Sequence, residues 1–291
     1  MPGRGGRGGG RGGPLPRLVQ VSKKISWLLR HGAEEEGLKL DSGGYLNVQD
    51  VLSNRKIRSL KVSLDELRQI VEDNDKQRFT MVPAVSAPPP PSAAVTASGA
   101  GAEEQATKQS APPSDNPSDW LIRANQGHSI KVEDEGLLKP ITTENMPEAA
   151  VHGTTHVAWP LILASGGLKR MTRNHVHFAA GLPAGFASIG GQDDGSNGVA
   201  TDAAAPVISG MRKSSTVLMF LDLPKAMEAG LKFWMSDNGV ILSEGNAEGV
   251  VPLEVFKRVE DRTGEGVLVE DGQVVKEAPA GWAKKGGKGK G

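Results

Sequence analysis

The sequence predicts an α+β protein with two lobes, a small helical lobe followed by a larger lobe built on a mixed β-sheet. Three observations carry this prediction. Residues 17–82 hold apolar side chains at helical spacing, and residues 119–262 alternate short apolar strands with turns. The stretch 83–118 between them is rich in Pro, Ala and Ser. Such a stretch cannot bury a core, so we expect a disordered linker there.

Three short helices and one strand are predicted in the small lobe. Apolar residues recur with a helical period over 18–29. Asn47 is placed to cap a second helix, and Ser63 with Glu66 three residues later is a capping-box signature for a third. The run 79–81 would supply a wing strand. Three helices and a wing make a winged helix our first choice for this lobe.

The larger lobe is predicted to be mainly strand, with one clear helix. That helix runs over 155–164, and Thr154 or Thr155 is placed to cap its start. A compact sheet with few helices follows from this pattern. The predicted strands are 121–123, 149–153, 175–179, 216–222, 233–235, 240–242 and 250–259.

Low-complexity segments border these lobes. Residues 1–16 form a Gly/Arg tract that we expect to be disordered, and it is either an RNA-binding arm or a solubilising tail. Residues 183–206, rich in Gly, Ala and Asp, predict a mobile insertion. Residues 263–291 are predicted to be an extension with one possible hairpin, at 271–272, and a basic Gly/Lys tail.

Composition excludes several kinds of chemistry. The chain has no cysteine, which excludes disulfides, thiolate metal sites and cysteine nucleophiles. Both tails are basic, so the remaining body carries more acidic than basic residues and any nucleic-acid site on it must be local. The sequence shows no signal peptide and no run of about 18 apolar residues. We therefore expect no membrane span, and a cytoplasmic or nuclear location or both.

Arginine and histidine gather in four short segments, and these carry the predicted chemistry. The segments are 29–32, 122–129, 151–154 and 210–212. Arginine does not titrate near neutral pH, and its planar fork suits phosphate oxygens. A site of three arginines and a histidine is therefore suited to holding a phosphate and poorly suited to abstracting protons. The four residues are Arg30, His31, Arg123 and Arg212.

An ordered set of motifs over residues 17–259 resembles the RNA 2′-phosphotransferase family. Each motif alone is weak, but together and in order they are specific. The motifs are SKKISWLLRH at 22–31, IRANQGHS at 122–129, HGT at 152–154, SGGL at 165–168, HVH at 175–177, GMR at 210–212, SDNGVIL at 236–242 and GVVP at 249–252.

The resemblance implies a winged-helix lobe, a second lobe with the ADP-ribosyltransferase fold, and NAD consumed as co-substrate. It implies removal of the internal 2′-phosphate that ligation leaves at a tRNA splice junction. That phosphate attacks the nicotinamide ribose, and the ribose 2″-hydroxyl then attacks the phosphorus. The implied products are RNA with a 2′-hydroxyl, ADP-ribose 1″,2″-cyclic phosphate and nicotinamide.

The resemblance also implies a role for individual residues. Arg30, Arg123 and Arg212 would grip the phosphate, and His31 would bond it and could transfer a proton. Seven residues would bind NAD: His152, Gly153, Thr154, Ser165, Gly167, Leu168 and His177. Four would bind RNA: Lys23, Asn125, Gln126 and His128. No metal is expected, and a monomer is the simplest expectation.

Two other functions stay open on the sequence. The same residues would serve an ADP-ribosyltransferase that caps terminal phosphates of RNA or DNA. A non-enzymatic winged-helix protein would need base-reading side chains on its third helix, where Arg68 and Gln69 are the candidates. A protein acceptor is disfavoured, because ADP-ribosyltransferases that modify proteins commonly use a glutamate where this chain has the apolar run 240–242. We also predict that deleting 86–115 leaves activity largely intact.

Overall fold

The computed structural model describes residues 15–73, 76–84, 114–132, 137–189, 211–212 and 214–282. Over these residues the protein is a mixed α+β structure with antiparallel sheets. Two large apolar cores form, one beneath the N-terminal helices and one within the larger sheet, and a third, small cluster contains Leu137, Leu138, Val240 and Leu242. Most of the Gly/Arg tract, of the Pro-rich linker and of the predicted insertion, together with the basic tail, lies outside the described residues.

The small lobe contains four helices where three were predicted. Asn47 Oδ1 accepts from the amide of Gln49 at 2.9 Å, and Ser63 Oγ accepts from the amide of Glu66 at 3.1 Å, so both predicted caps are confirmed. Asn54 caps the additional short helix. The helices are α1 (Arg17–Trp27), α2 (Val48–Ser53), α3 (Arg55–Arg58) and α4 (Leu64–Glu72), with a π-helical turn, Leu28–Gly32, continuing α1.

Three strands form the small sheet, and one of them was predicted to belong to the larger sheet. They are β1 (Tyr45–Asn47), β2 (Phe79–Pro83) and β3 (Trp120–Ala124), in the order β1-β3-β2 with antiparallel pairing. The strand predicted over 121–123 exists, but it lies in the small sheet and not in the larger one. Its buried Ile122 and Ala124 pack into the core of the N-terminal helices. Residues after the linker therefore complete the small lobe.

The larger lobe contains eleven strands over the described residues. They are β4 (Lys139–Pro140), β5 (Val151–Thr154), β6 (Gly167–Lys169), β7 (Val176–Ala179), β8 (Val217–Leu221), β9 (Trp234–Met235), β10 (Val240–Ser243), β11 (Val250–Pro252), β12 (Phe256–Asp261), β13 (Gly266–Glu270) and β14 (Gln273–Val274). Nine of them form one large sheet, in the order β14-β13-β12-β8-β5-β7-β10-β9-β4. The other two, β6 and β11, form a separate antiparallel pair.

Two predicted elements of the large lobe differ from the structure. The helix predicted over 155–164 is α5 (Trp159–Ala164), because residues 155–158 form a turn that leads into Pro160 near the helix start. The strand predicted over 250–259 is broken by a 3₁₀ turn, Leu253–Val255. That turn separates β11 from β12, which lie in different sheets. A second short helix, α6 (Leu223–Glu228), follows β8.

The segment after residue 262 joins the large sheet. The predicted hairpin at Asp271-Gly272 is confirmed: it connects β13 to β14, with φ of 48° and 83° at its two turn residues. Positive φ at both positions is the geometry of a two-residue hairpin turn. Because β13 also pairs along β12, this hairpin extends the sheet beyond the predicted lobe boundary.

Candidate active site

The π-helical turn places the first predicted pair of residues, Arg30 and His31, at the cleft between the lobes. An extra residue in a helical turn re-aims the side chains that follow it, and such turns are frequent at functional sites. Trp27 packs over Gly32 so closely that a Cβ there would lie 2.6 Å from ring atoms of the indole. The carbonyl of Arg30 accepts from the amide of Ser129 at 3.0 Å, which ties the turn to the segment after β3.

Arg30 is a half-buried cation that forms no ion pair with another described residue. Its Nε and Nη2 atoms are buried and have no hydrogen-bond partner among the described residues. Burial, followed by the charges of Arg78 and Arg173, lowers the pKa of Arg30 to about 10. It remains charged at neutral pH. Burying an unpaired charge is costly, so a site of this kind is suited to an anionic ligand.

His31 stands beside Arg30 in the same field. Its Nδ1 lies 2.8 Å from Ser129 Oγ. Partial burial, followed by the charges of Arg30 and Arg173, lowers its pKa below the ordinary value. The imidazole is therefore neutral at pH 7 and can accept a hydrogen bond or a proton.

Three hollows are linked in series by shared lining residues, and Arg30 lines two of them. The central cavity, about 240 Å³, lies between the lobes. It shares Arg30, Lys76 and Arg78 with a groove of about 600 Å³ along α1, which we call the small-lobe groove. It shares His152, Arg173 and His177 with a second space of about 600 Å³, which we call the large-lobe cavity. The central cavity therefore lies between the small-lobe groove and the large-lobe cavity. Arg30 stands where the central cavity meets the small-lobe groove.

The large-lobe cavity is lined by two histidines that burial keeps neutral. His152 Nδ1 donates to the carbonyl of His177 at 2.8 Å. Burial lowers the pKa of His152 even though this bond opposes the shift, and burial followed by the charge of Arg173 lowers the pKa of His177 to about 3. The Nε2 atom of His177 is buried and has no partner among the described residues. A ligand can therefore bond to it.

The other residues predicted to bind NAD divide into cavity-lining and backbone-shaping groups. Thr154 and Leu168 are largely buried and line the large-lobe cavity, as does the exposed Arg212. Gly167 also lines it, and a Cβ there would lie 2.9 Å from Pro252 Cα, so its glycine is required by the β6–β11 pair. Ser165 Oγ lies 2.9 Å from the carbonyl of Gly167 and helps close the turn after α5.

Gly153 must be glycine because neighbouring side chains occupy the place of a Cβ. It lines the central cavity, but the space where a Cβ would lie is filled by Met211 and Ser215. A Cβ on residue 153 would lie 2.7 Å from Met211 Sδ and 2.9 Å from Ser215 Oγ. The side chains of Met211 and Ser215 therefore approach the backbone of residue 153 closely.

Arg123 is the predicted phosphate-binding residue that the structure does not bring to the cleft surface. It lines none of the three spaces. Its Nη1 donates to the carbonyl of Gly43 at 3.0 Å, and its Nη2 donates to a carboxylate oxygen of Asp237. The guanidinium carbon lies 4.6 Å from the ring centroid of Tyr45. Sequence spacing could not reveal these three partners.

The four residues predicted to bind RNA also differ in their placement. Lys23 lines the small-lobe groove and Gln126 lines the central cavity. Asn125 lines neither: its Oδ1 accepts from Thr80 at 2.7 Å and its Nδ2 donates to the carbonyl of Gln77 at 2.7 Å, so its amide shapes the backbone. His128 is buried behind Arg30, and burial followed by that charge lowers its pKa to about 3.

Three cleft residues, Lys76, Arg78 and Arg173, were not singled out from the sequence. Lys76 and Arg78 precede β2, and Arg173 lies in the loop before β7. Each stands in a segment whose pattern resembles an ordinary solvated loop. The sequence shows only that these three residues lie close to motif residues. It does not show whether their side chains face the cleft.

Two further findings concern the described part of the chain. It contains no group of three or more His, Asp or Glu side chains that could hold a metal ion. None of its helices is long and apolar enough to cross a membrane.

An arginine with unbonded nitrogens among the described residues, beside neutral histidines, is an arrangement suited to a phosphorylated ligand. The family model described as "RNA 2′-phosphotransferase, Tpt1 / KptA family" matches residues 16–245. This chain belongs to that family.

Curated relatives agree with the family model. The chain is 35% identical to tRNA 2′-phosphotransferase 1 of Danio rerio, covering 89% of this chain and 92% of the relative. It is 36% identical to tRNA 2′-phosphotransferase 1 of Mus musculus, covering 83% and 76%. It is 32% identical to tRNA 2′-phosphotransferase of Saccharomyces cerevisiae, covering 84% of each.

Proposed function

We propose that this protein is an NAD-dependent tRNA 2′-phosphotransferase, which removes an internal splice-junction 2′-phosphate and leaves a 2′-hydroxyl. Family membership and the names of its relatives support the reaction class. The observation that carries it structurally is Arg30, whose Nε and Nη2 have no hydrogen-bond partner among the described residues, where the central cavity meets the small-lobe groove. A 2′-phosphate monoester is already anionic at neutral pH, so it needs positioning more than a general base.

The two lobes fit this division of work. We assign a winged-helix RNA-binding lobe to residues 17–82, completed by β3, and an ADP-ribosyltransferase-like NAD-binding lobe to the remainder of 119–262. The tails and the Pro-rich linker stay outside both assignments. An RNA-binding role for the Gly/Arg tract, a monomeric state and a cytoplasmic or nuclear location belong to the proposal as predictions.

The large-lobe cavity fits NAD by the chemistry of its lining. Arg173 and Arg212 supply positive charge for a diphosphate, and the unpartnered Nε2 of His177 supplies a polar atom for a ribose hydroxyl. Leu161 and Ile162 supply an apolar wall for a ring. When bound, NAD provides the ribosyl carbon that accepts the phosphate, and nicotinamide departs.

The small-lobe side would hold and orient the phosphate. Arg30 provides preorganised positive charge for oxygens on which negative charge builds when the ribose hydroxyl attacks phosphorus. His31, neutral at pH 7 and beside Arg30, is placed to accept the proton of that hydroxyl. Arg212, which was predicted to grip the phosphate, lines the large-lobe cavity and neither of the spaces that Arg30 lines. Lys23 and Gln126 are placed to contact the RNA on either side of the phosphate.

The test uses a short RNA with one internal 2′-phosphate, incubated with and without NAD and followed by mass spectrometry. We expect NAD-dependent loss of the phosphate and appearance of ADP-ribose cyclic phosphate. Arg212→Ala should slow the reaction, whereas Arg55→Ala, which removes an exposed arginine on the outer face of α3, should not. An ADP-ribosyl group that persists on the RNA would replace this proposal with the phosphate-capping activity. Absence of reaction by the folded protein would refute both.

A further inference from the structure

A tight turn of the large lobe, residues 236–239 between β9 and β10, reaches across to the small lobe. Ser236 Oγ donates to Asn238 Oδ1 at 2.8 Å and accepts from the amide of Val240 at 3.0 Å. Gly239 has a φ of 73°, which closes the turn. Ser236 and Asn238 are buried. The turn is therefore built to present its side chains in one fixed geometry.

Two side chains of this turn hold two separate segments of the small lobe. The carboxylate of Asp237 accepts from Arg123 Nη2 on β3. The Nδ2 of Asn238 donates to the carbonyl of Lys76 at 3.0 Å. Both bonds cross from the large-sheet side of the cleft to the small-sheet side.

The small-lobe segments that this turn holds contain, or are bonded to, cationic residues that line the central cavity. Lys76 lies two residues before Arg78, and both line the central cavity with Arg30. The carbonyl of Arg78 accepts from the amide of Asn125, two residues after Arg123. The turn thus fixes the backbone that presents Lys76 and Arg78 through one direct bond and one bond through β3.

The Asp237–Arg123 contact is sheltered enough to matter energetically. The side chain of Arg123 is 8% exposed and that of Asp237 is 33% exposed. An exposed pair contributes little, but removing a carboxylate that pairs with a buried arginine is costly. The bond from Arg123 to the carbonyl of Gly43 lies within the small lobe, whereas the contact with Asp237 joins the two lobes.

We infer that Asp237 is a positioning residue that orients Arg123 and sets how the small lobe's cationic face meets the large-lobe cavity. This inference rests on the proposed function for its catalytic consequence. A displacement of about 1 Å between reacting groups can lower a rate by about 100-fold. Asp237 would therefore act on turnover through Arg123, without touching a substrate.

The kinetic experiment is a double-variant cycle at Asp237 and Arg123. Asp237→Asn keeps the shape and removes the charge, and we expect kcat to fall by about 10- to 100-fold while KM for NAD stays within about twofold. Arg123→Ala should lower kcat at least as much, and the double variant should be no slower than Arg123→Ala alone. The matched control, Asp65→Asn, breaks an exposed Asp–Arg pair on α4 and should retain wild-type kinetics.

Three kinetic outcomes would overturn the inference. One is an Asp237→Asn variant whose kcat stays within about threefold of wild type. A second is a double variant whose loss is the full product of the two single losses, because the free-energy effects of independent sites add. A rise in KM for NAD equal to the fall in kcat would show a general structural fault, and it too would contradict a positioning role.

Hydrogen exchange separates failure of this inference from failure of the proposed function. In Asp237→Asn the amides of 76–80 and 121–125 should exchange faster than in wild type, with those of 217–221 unchanged. Unchanged exchange at the first two segments would refute the contact's role whatever the enzyme does. If wild type shows no 2′-phosphate removal but the exchange difference appears, the proposed function fails and the interlobe role of Asp237 stands.

Discussion

The two sides of the cleft differ in the charge they present. The small lobe contributes long cationic side chains from a π turn and a loop, namely Arg30, Lys76 and Arg78. The large lobe contributes histidines from the middle of its sheet, where burial lowers the pKa values of His152 and His177. The small-lobe side therefore presents cations from a turn and a loop, whereas the large-lobe side sets neutral histidines beside Arg173 and Arg212.

The difference follows from where each set of residues lies. A histidine on β5 or β7 has neighbouring strands on both sides and loses its solvent, which favours the neutral ring. A residue in a turn keeps one side open to the cleft, so Arg30 stays charged although its Nε and Nη2 have no hydrogen-bond partner among the described residues. Loops on a rigid scaffold commonly carry binding residues for this reason.

The largest expected effect comes from removing the anion-attracting charge. Arg30→Ala should lower kcat/KM for the 2′-phosphorylated RNA by about 100- to 1,000-fold, because it deletes preorganised positive charge at the reacting phosphate. Steady-state kinetics would measure it, with Arg55→Ala as the matched arginine control. A loss below about threefold would remove Arg30 from the catalytic set.

The next effect concerns the turn that aims Arg30. Gly32→Ala would place a Cβ within 2.6 Å of the Trp27 indole. We expect a loss of about 1–3 kcal/mol in the free energy of unfolding together with reduced turnover, since the π turn must shift. Denaturant unfolding would measure the change. Gly281→Ala, where a Cβ meets nothing within 4 Å, should leave both properties unchanged.

A smaller effect is expected in the acid dependence of stability. The pKa of His177 is about 3 in the folded chain and about 6.5 when unfolded. Between these values the unfolded chain binds more protons, so the free energy of unfolding falls as pH is lowered, by about 1.4 kcal/mol per pH unit for each such histidine. His177→Asn should reduce this slope between pH 6 and 4, as followed by urea unfolding. An unchanged slope would contradict the neutral state assigned to His177.

The smallest effect on activity should come from shortening the linker. The sequence predicts that 86–115 can be deleted, and the structure narrows that segment. The carbonyl of Ser114 accepts from Arg68 at 2.5 Å and from the indole of Trp120 at 2.8 Å, so residue 114 belongs to the small lobe. Replacing 86–113 with a short Gly/Ser linker should leave kcat and KM near wild type. Extending the deletion through 115 should lower the melting temperature. Collapse of turnover in the shorter replacement, with folding preserved, would refute the prediction.

Local signals in the sequence identified elements well. The caps at Asn47 and Ser63 and the turn at 271–272 depend on side chains within a few residues, and all three are confirmed. The helix start at 155 was wrong because the sequence does not show that residues 155–158 turn before Trp159. The break within 250–259 was missed because the intervening run Leu253–Val255 alternates apolar and polar residues as a strand does.

Long-range placement could not be predicted in the same way. The pattern of β3 is that of any half-buried strand, and only its pairing with β1 and β2 assigns it to the small sheet. The partners of Arg123 lie 80 and 114 residues away in sequence. The directions in which the side chains of Lys76, Arg78 and Arg173 point depend on how the two lobes meet. The motifs therefore identified the cleft's chemistry but not which arginine stands open to it.

Binding without NAD tests the central claim most directly, namely that the unpartnered guanidinium of Arg30 receives the 2′-phosphate. Affinities of wild type and Arg30→Ala would be measured for two RNA oligonucleotides that differ only in the internal 2′-phosphate. We expect wild type to prefer the phosphorylated RNA by at least tenfold, about 1.4 kcal/mol, and Arg30→Ala to lose that preference while binding the unmodified RNA equally well. A folded Arg30→Ala variant that keeps the full preference would contradict the account.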